Sequence, residues 1–462
     1  MDPQTWDYDK LKNVVDFCCN NRCYRIGVEL ILSWLETKDI NLLNSIKINL
    51  KKKEKNRIYY MLEKLTIMCY YVDEYRDLGY ILSEILTFNN TETNQNNINM
   101  NKRFYIKQIK CKKYINISEK MDKKFIPILK TPKNGKKYYN PCNPSIIKTE
   151  TGYICNCRFV NYSQEYAVHF EYLELDNIIR TKNVILIMDK NFNVKSSHKI
   201  IDDSWRNNCE IKHNVLGMED CILFTHKNDV WVICTTLDTE PYGRPKQTIF
   251  KLPELYKDKN YHIKNITTMK SPMNQIEKNW MPISFNHEKF DKDTFYFIYK
   301  HKYKAILTEY NPNNACTIQI DENNNTIGIN ANIRISDVFN NNTDKTINYD
   351  NFRGSGGPVK IKFNNIDGYM SIIHEVIFTR QGRYYLHRFV YYDHDFSVNY
   401  ITPLFYFDHL GIEFCRSMSL SHINNEIIVT VGIEDKEARI YCLDFDMIKN
   451  MLIDINDITI LK

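Results

Sequence analysis

The sequence predicts an α+β multidomain protein, with an N-terminal helical-repeat-like module followed by an all-β five-bladed propeller. Apolar residues recur at helical spacing in about the first 90 residues, whereas short runs of alternating apolar and polar residues dominate after residue 139. A related group of segments also returns five times in the second region. We therefore expect a helical module at 1–90, a connecting segment at 91–138 and the propeller at 139–462.

The helical prediction depends on two similar pairs of segments. DYDKLKNVVDFCCNN and YRIGVELILSWLE carry apolar residues at i, i+3 and i+4, and so do IYYMLEKLTIMCYYVDE and RDLGYILSEILTF. Each pair places a glycine, Gly27 or Gly79, where its second helix begins. The pattern is similar to two tetratricopeptide-like helix pairs, which would provide a docking surface for a protein partner. A plain four-helix cap on the following domain fits the pattern equally well.

The connecting segment includes NNTETNQNNINMN, a polar stretch of low complexity that is typical of a linker or an exposed loop. Beyond it, the propeller prediction depends on landmark segments at intervals of roughly 60 to 76 residues. Each landmark opens a strand, a turn and a second strong strand, and about 320 residues of β pattern exceed one sandwich. The landmarks begin near Asn140, Asn214, Glu277, Arg353 and Glu413.

Composition narrows the classes of function. The chain has 462 residues and a net charge of +6, which is too weakly basic to indicate nucleic-acid binding. No apolar run approaches the roughly 20 residues that cross a bilayer, and the N-terminus MDPQTWDYDKL lacks an apolar signal core. We therefore expect a cytoplasmic protein that binds neither membrane nor nucleic acid, with its 14 cysteines reduced.

Metal binding is not expected. Cys155 and Cys157 form a C-x-C in a strand pattern without a second ligand pair at zinc spacing, so core packing is the favoured interpretation. The sequences DHD at 393–395 and DFD at 444–446 could in principle hold a divalent cation under a diphosphate. They fall at predicted strand ends, where aspartate commonly caps backbone amides, and we interpret both as turns.

Polar residues near the landmarks are the candidate site. The innermost strands of a propeller converge on its axis, so residues at their ends meet although they are far apart in sequence. Carboxyls can act as general acids and, with amides, bind sugar hydroxyls, while cations hold phosphate or another anionic leaving group. The set comprises Asn143, Ser145, Arg158, Glu219, Asp220, Glu277, Lys278, Asn279, Arg353, His374, Glu434 and Asp435.

The order of these motifs resembles glycoside hydrolase family 130. The chain contains NPS at 143–145, then Arg158, GMED at 217–220, EKN at 277–279, GSGGP at 354–358, His374 and ED at 434–435. The family comprises five-bladed propellers that are β-mannoside phosphorylases and hydrolases, and kinetoplastid β-mannosyltransferase/phosphorylases are related to it. The resemblance covers about residues 140–446 and excludes the helical module. Each motif is short, and the specificity comes from their joint order.

The resemblance implies a role for each matching residue. Asp220 would be the acid that protonates the glycosidic oxygen, by way of a sugar hydroxyl in the phosphorylases. Asn143 and Arg158 would bind the glycosyl unit at the reaction centre, and Asp435 would hold sugar hydroxyls. Lys278 and His374 would match cationic phosphate ligands. From their residue types, we add Ser145, Glu219 and Asn279 as substrate-binding candidates and Arg353 as a further phosphate ligand.

One departure from the family bears on the reaction. The family's EDPR is EDCI here, so Ile222 replaces an anion-binding arginine, for which Arg353 could substitute in space. Phosphorolysis, hydrolysis and glycosyl transfer all stay open, with inorganic phosphate or a nucleotide sugar as co-substrate and no other cofactor. The missing arginine favours an alternative, a non-catalytic propeller that binds carbohydrate or protein and uses the helical module for docking.

The glycines of RGSGGP, at 353–358, raise a separate question. They lack the G-x-x-x-x-G-K-[ST] spacing of a nucleotide-binding loop. We expect them to let the backbone of the fourth blade approach the axis or a ligand closely.

Overall fold

The computed structural model describes most of the chain. The described residues are 7–21, 23–37, 57, 60–62, 64, 65, 68, 69, 107–165, 169–205, 214–239, 243–256, 259–270, 276–302, 304–313, 317–320, 326–332, 334–336, 352–379, 382–408 and 411–457. They form two compact units, Met1–Ile109 with Pro403–Leu410, and Lys110–Thr402 with Gly411–Lys462. Among the described helices, none is both long and apolar enough to cross a bilayer.

The first unit contains helices α1 (Tyr8–Asn20) and α2 (Tyr24–Thr37). Asp7 caps α1, since its carboxylate accepts a 2.8 Å hydrogen bond from the backbone N–H of Lys10. The short strands β1 (Lys107–Gln108) and β25 (Phe405–Tyr406) pair in parallel in this unit. The helices bury an apolar core together with helical residues between 57 and 69, comprising Leu11, Val15, Cys18, Val28, Ile31, Trp34, Met61, Leu62, Leu65, Met68 and Cys69.

The predicted helical repeat is not supported. The described residues show α1, α2 and helical positions between 57 and 69, and the second helix of the second predicted pair lies outside the described residues. Gly27 has a packing role instead. A Cβ at that position would lie 2.2 Å from the sulfur of Met68, so the glycine permits close approach of the neighbouring helix.

Five sheets of the second unit each contain a run of four antiparallel strands, to which shorter strands add at some edges, and this confirms the predicted five-bladed arrangement. In each blade the strands are named from the axis outward. The first blade is β3 (Asn140–Lys148), β4 (Gly152–Val160), β7 (Ile179–Asp189) and β8 (Val194–Asp202). The second is β10 (Glu219–His226), β11 (Asp229–Thr236), β12 (Lys246–Lys251) and β14 (Thr267–Lys270). The third is β15 (Met281–Pro282), β16 (Phe295–Lys300), β17 (Ile306–Tyr310) and β20 (Arg334–Ile335).

The fourth and fifth blades complete the ring. The fourth is β21 (Arg353–Phe363), β22 (Ile366–Thr379), β23 (Gly382–Tyr392) and β24 (Val398–Ile401). The fifth is β26 (Glu413–Leu420), β27 (Glu426–Ile433), β28 (Glu437–Asp444) and β2 (Lys113–Asn116). Because β2 precedes the first blade in sequence and pairs with β28 of the last, it closes the ring from within the segment expected to connect the domains.

Shorter elements decorate the blades. They are the hairpin of β5 (Tyr162–Glu165) and β6 (His169–Tyr172), the hairpin of β18 (Thr317–Ile320) and β19 (Thr326–Asn332), the strands β9 (Val215–Leu216), β13 (Tyr261–Ile263) and β29 (Ile453–Asp454), the helices α3 (Ile117–Lys120) and α4 (Phe445–Met451), and single 3₁₀ turns at Lys123–Phe125 and Ile455–Asp457.

Local sequence explains several of the strands and turns. The two-residue loop Asn364–Asn365 joins β21 to β22 with φ of 47° and 62°, the pattern of a type I′ turn that asparagine tolerates. Cys155 and Cys157 are fully buried in the blade core, as predicted. The carboxylates of Asp393 and Asp444 accept hydrogen bonds from backbone amides two residues ahead. The first D-x-D is a turn as predicted, whereas the second begins helix α4 with Asp444 as its N-cap, so the predicted turn is wrong there.

Hydrogen bonds and packing join adjacent inner strands around the axis. The hydroxyl of Ser145 accepts from the N–H of Leu223 at 2.9 Å, and that of Ser417 accepts from the N–H of Ile146 at 2.7 Å. A Cβ on Gly356 would lie 2.6 Å from the backbone carbon of Ser417. The fourth blade therefore approaches the fifth backbone to backbone, so this glycine serves a contact between blades.

Candidate functional site

Irregular backbone marks one end of the inner strands. Asn143, Asp220 and Asn279 have φ of 39°, 49° and 62°. Register shifts occur at the same level in β3, β10, β21 and β26. A β-bulge re-aims the side chains around it, and asparagine and aspartate adopt the left-handed conformation more readily than other residues with a Cβ. Polar side chains of different blades meet at this level, which we call the polar end.

Arg158 of β4 organises the polar end. Its guanidinium donates to the Asp220 carboxylate at 2.8 Å, to Glu219 at 3.2 Å and to the hydroxyl of Thr181 at 3.2 Å. The side chain of Arg158 is buried. A buried cation requires such partners, because an unpaired charge inside a protein is costly.

The Asp220 carboxylate accepts from two side chains of the first blade and stays ionised. Asn143 donates its amide to the same Asp220 carboxylate oxygen at 2.8 Å. Burial by itself would raise the pKa of Asp220, but the guanidinium groups of Arg158 and Arg416 and the hydrogen bond from Asn143 lower it to about 2. At neutral pH this group is a carboxylate.

Asp435 has the opposite electrostatic environment. It lies in a tight turn between β27 and β28, where Glu434 and Asp435 both have left-handed backbone, with φ of 50° and 48°. The hydroxyl of Tyr162 donates to its carboxyl at 3.2 Å. Burial raises the pKa of Asp435 to about 6, and the charge of Asp220 contributes in the same direction.

Arg416 was missing from the predicted site. This buried side chain of β26 donates through Nε to the backbone oxygen of Asp220 at 2.8 Å and through Nη1 to the side-chain oxygen of Asn279 at 3.2 Å. Nη2 contacts the Asp220 backbone oxygen as well. Arg416 therefore holds two of the left-handed residues from across the axis. A signal existed, because Arg416 lies within the fifth landmark segment EFCRSMSL.

The cations predicted to bind phosphate occupy different surroundings. Lys278 is partly exposed, and its ammonium lies 3.9 Å from Glu219. A Cβ on Gly354 would lie 2.1 Å from the backbone oxygen of Asn279, so the segments carrying Lys278 and Arg353 are adjacent on neighbouring blades. Arg353 itself is exposed. These two cations border the polar end on its third and fourth blades.

His374 lies in a closed environment. Its Nδ1 is 2.8 Å from the hydroxyl of Ser355. The rings of Tyr385 and Phe414 pack against the imidazole, with centroid–centroid distances of 5.3 and 5.0 Å. Burial lowers the pKa of His374 well below its ordinary value. The ring is therefore neutral at pH 7, and only the predicted role of a cationic phosphate ligand would require it to gain a proton.

Two other candidates have structural partners. Glu277 accepts from the indole of Trp280 and the hydroxyl of Tyr299, both at 3.1 Å. Ser145 is buried and holds the inner strand of the next blade, as described above. In the described ranges, no group of three histidine, cysteine, aspartate or glutamate side chains could hold a metal ion.

A cavity of about 290 Å³ lies at the opposite end of the inner strands, which we call the apolar end. Lys148 and Lys360 are exposed among its lining residues, and the lining includes no carboxylate among the described residues. The cavity is separate from the ion pairs of the polar end. Its apolar wall includes Ile146, Ile222, Leu223, Pro282, Val359 and Met418.

No family model matches the sequence, and no curated protein is similar to it in sequence. Several solved structures align with the chain. A β-1,2-mannobiose phosphorylase from Listeria innocua is 10% identical, with a TM-score of 0.40, over 71% of this chain and 97% of that one. A glycosyl hydrolase from Bacteroides ovatus is 10% identical, with a TM-score of 0.40, over 73% and 97%. A mannose phosphorylase from Leishmania mexicana is 10% identical, with a TM-score of 0.39, over 71% and 91%.

Proposed function

We propose that the polar end is the active site of a carbohydrate-active enzyme that acts on β-mannoside-like glycosides by phosphorolysis or glycosyl transfer. One observation carries the proposal. Two carboxyl groups around the same guanidinium have pKa values pushed in opposite directions, Asp220 to about 2 and Asp435 to about 6. Such divergence is what an active site needs when one carboxyl holds a proton near neutral pH and the other stays charged.

The reaction requires a proton on the leaving oxygen and a nucleophile at the anomeric carbon. In phosphorolysis the glycosidic C–O bond breaks, a phosphate oxygen bonds to the anomeric carbon and the leaving oxygen takes up a proton. Asp435 is the group that still binds a proton near pH 6. Asp220 is ionised at neutral pH and can accept a hydrogen bond from a sugar hydroxyl. In this proposal Asp435 therefore supplies the proton, whereas the sequence resemblance implied Asp220 as the acid.

The remaining residues support binding of the substrate. Asn143, on the inner strand of the first blade, and Asn279, just before that of the third, supply amide groups, and their contacts to Asp220 and Arg416 fix their direction. Lys278 and Arg353 supply positive charge at the exposed rim, where a phosphate or a nucleotide diphosphate could approach. This combination fits a neutral sugar ring next to an anionic group.

The first test is thermal unfolding of the full chain with inorganic phosphate, mannose 1-phosphate and GDP-mannose. A ligand that binds only the folded state raises the unfolding midpoint. A rise with mannose 1-phosphate that is lost in Lys278→Ala supports phosphorolysis, and a rise with GDP-mannose alone supports transfer. If none of the three raises the midpoint, the active-site proposal is wrong and the non-catalytic binding propeller takes its place.

The second test is turnover. With a substrate identified, Asp220→Asn is expected to abolish turnover while the circular dichroism spectrum stays that of the wild type. Asp435→Asn is expected to remove the ionisation near pH 6 from the pH–rate profile. Unchanged turnover in Asp220→Asn would contradict its assignment at the reaction centre.

A further inference from the structure

The hairpin formed by β5 and β6 lies next to the polar end. It connects β4 to β7 at the end of these strands that carries Arg158 and Thr181. Asn161 secures its base, because its amide donates to Glu174 at 2.6 Å and to the backbone oxygen of Ile178 at 2.7 Å. The hairpin therefore starts from a fixed point beside the carboxyl pair.

Three aromatic side chains form a row on this hairpin. The rings of Tyr162 and Phe170 stack with centroids 4.8 Å apart and an interplanar angle of 28°. Tyr172 meets Phe170 edge to face at 4.9 Å. Tyr162 is buried, yet Phe170 is 42% exposed. Stacking on Tyr162 thus leaves much of the Phe170 ring in contact with solvent.

The aromatic row is connected to the candidate reaction centre through Tyr162. Its ring supports Phe170, and its hydroxyl donates to Asp435 at 3.2 Å. One aromatic ring therefore separates the exposed Phe170 from a carboxyl of the active-site pair. A ligand that fills the polar end and extends past Tyr162 would reach Phe170 next.

We propose that Phe170, supported by Tyr162, is a stacking subsite for a second sugar ring of the substrate. The inference rests on the proposed function of the polar end. A pyranose presents a face of C–H groups, which loses contact with water when it packs on an aromatic ring. Phe170 has no hydrogen-bonding group, so the subsite would select a flat sugar face and tolerate variation in its hydroxyls.

The hairpin does not depend on Phe170 for its position, which makes the proposal testable. Glu171 accepts from the side-chain amide of Asn134 at 2.8 Å and from the hydroxyl of Ser163 at 3.4 Å. These polar contacts remain when Phe170 is truncated. The variant Phe170→Ala therefore removes the stacking surface and retains the polar anchors of the hairpin.

The experiment is calorimetric titration of full-length wild type, Phe170→Ala and Phe170→Trp with mannose 1-phosphate and with β-1,2-, β-1,3- and β-1,4-linked mannobiose. Phe170→Ala is expected to weaken binding of the preferred mannobiose about fivefold and to change the affinity for mannose 1-phosphate by less than about twofold. Phe170→Trp is expected to restore the mannobiose affinity. Tyr114→Ala is the matched control, because Tyr114 is a 60% exposed aromatic on the outer strand β2. This variant should bind both kinds of ligand with wild-type affinity.

The outcomes separate the two proposals. If wild type binds neither mannose 1-phosphate nor any of the three mannobioses, the phosphorolysis form of the proposed function is wrong and the subsite falls with it. If wild type binds a mannobiose and Phe170→Ala binds it equally well, only the subsite is wrong. Equal weakening of mannobiose and mannose 1-phosphate would also overturn the subsite, since it would indicate a structural role for Phe170.

Discussion

The two ends of the five inner strands differ in chemistry although the same strands build both. At the polar end, Arg158 and Arg416 are buried with Asp220, and each depends on groups from other strands or blades. At the apolar end, residues such as Ile146 and Ile222 line a cavity, and charge is confined to exposed lysines. In β10, only one residue, Cys221, separates Asp220 from Ile222.

The difference shows how the same five strands carry apolar packing at one end and a cluster of buried charges at the other. The bulges at Asn143 and Asp220 mark where ordinary strand alternation gives way to left-handed backbone. Each buried apolar group adds a small, independent amount to the free energy of unfolding, whereas a buried charge lowers it unless all of its partners are present. We therefore expect the two ends to respond to substitution on different scales and with different pH dependence.

The largest effect is expected from Arg158→Leu. It leaves Asp220 and Glu219 without their buried cation, and removing one partner of a buried ion pair costs about 3–5 kcal/mol of the free energy of unfolding. Urea denaturation at pH 7.5 measures it. Lys227→Ala is the control, because Lys227 and Asp293 are each 52% exposed and such pairs contribute about 1 kcal/mol or less. Equal losses of unfolding free energy in both variants would show that the buried ion pairs contribute no more than an exposed one.

Asp435→Asn is expected to stabilise the protein at neutral pH. The folded-state pKa of about 6 lies above the ordinary 3.8, so the stability this group contributes is full below pH 3.8 and is lost as the pH rises through 6. Asparagine avoids that loss. Urea denaturation should show a gain of up to about 3 kcal/mol at pH 7.5 and little difference near pH 4. A gain independent of pH would argue against a raised pKa.

Asp220→Asn is expected to have the opposite sign. Its folded-state pKa of about 2 lies below 3.8, so its stabilising contribution is present above pH 3.8 and is lost as the pH falls through 2. The variant should lose about 2 kcal/mol of unfolding free energy at pH 7.5 and still lose most of it at pH 5. A variant as stable as wild type at pH 7.5 would show that Arg158 and Asn143 do not stabilise the carboxylate.

The smallest effect is expected at the apolar end. Ile222→Val removes one buried methylene from the core shared with Trp280 and Phe297, at a cost of about 1 kcal/mol. The loss should be the same from pH 5 to 7.5, since no titrating group is involved. Lys148→Ala serves as its surface control, because Lys148 is exposed and donates to the backbone oxygen of Ser421. A pH-dependent loss in Ile222→Val would show that the two ends are coupled.

The sequence predicted the ring because its signals are local. Each landmark lies at or a few residues before an inner strand, and type I′ turn residues such as Asn364 and Asn365 stand where hairpins turn. The helical repeat was not supported, because apolar spacing predicts helices and does not specify which helices pair. The third helical region packs against Gly27 through Met68, a contact that no sequence period reveals.

The site was predictable in its membership more than in its roles. Asn143 and Asp220 meet at the ends of converging inner strands, and Arg158 reaches Glu219 and Asp220 from the second strand of its blade. Arg416 was missed, although it stands in a landmark segment, because its reach across the axis to Asp220 is a property of the closed ring. His374 has the right residue type for an anion ligand, but its burial favours the neutral ring.

The sequence by itself determined that five similar β units follow a helical segment and that acids, amides and cations recur near the start of each unit. Those features depend on alternation, turns and residue type, which act over a few residues. Only the tertiary structure decided that Tyr162 would hold Asp435, that Arg416 would hold Asp220, and that the two carboxyls would differ in pKa. These outcomes depend on burial and on charges brought together across the axis, and neither exists until the ring has closed.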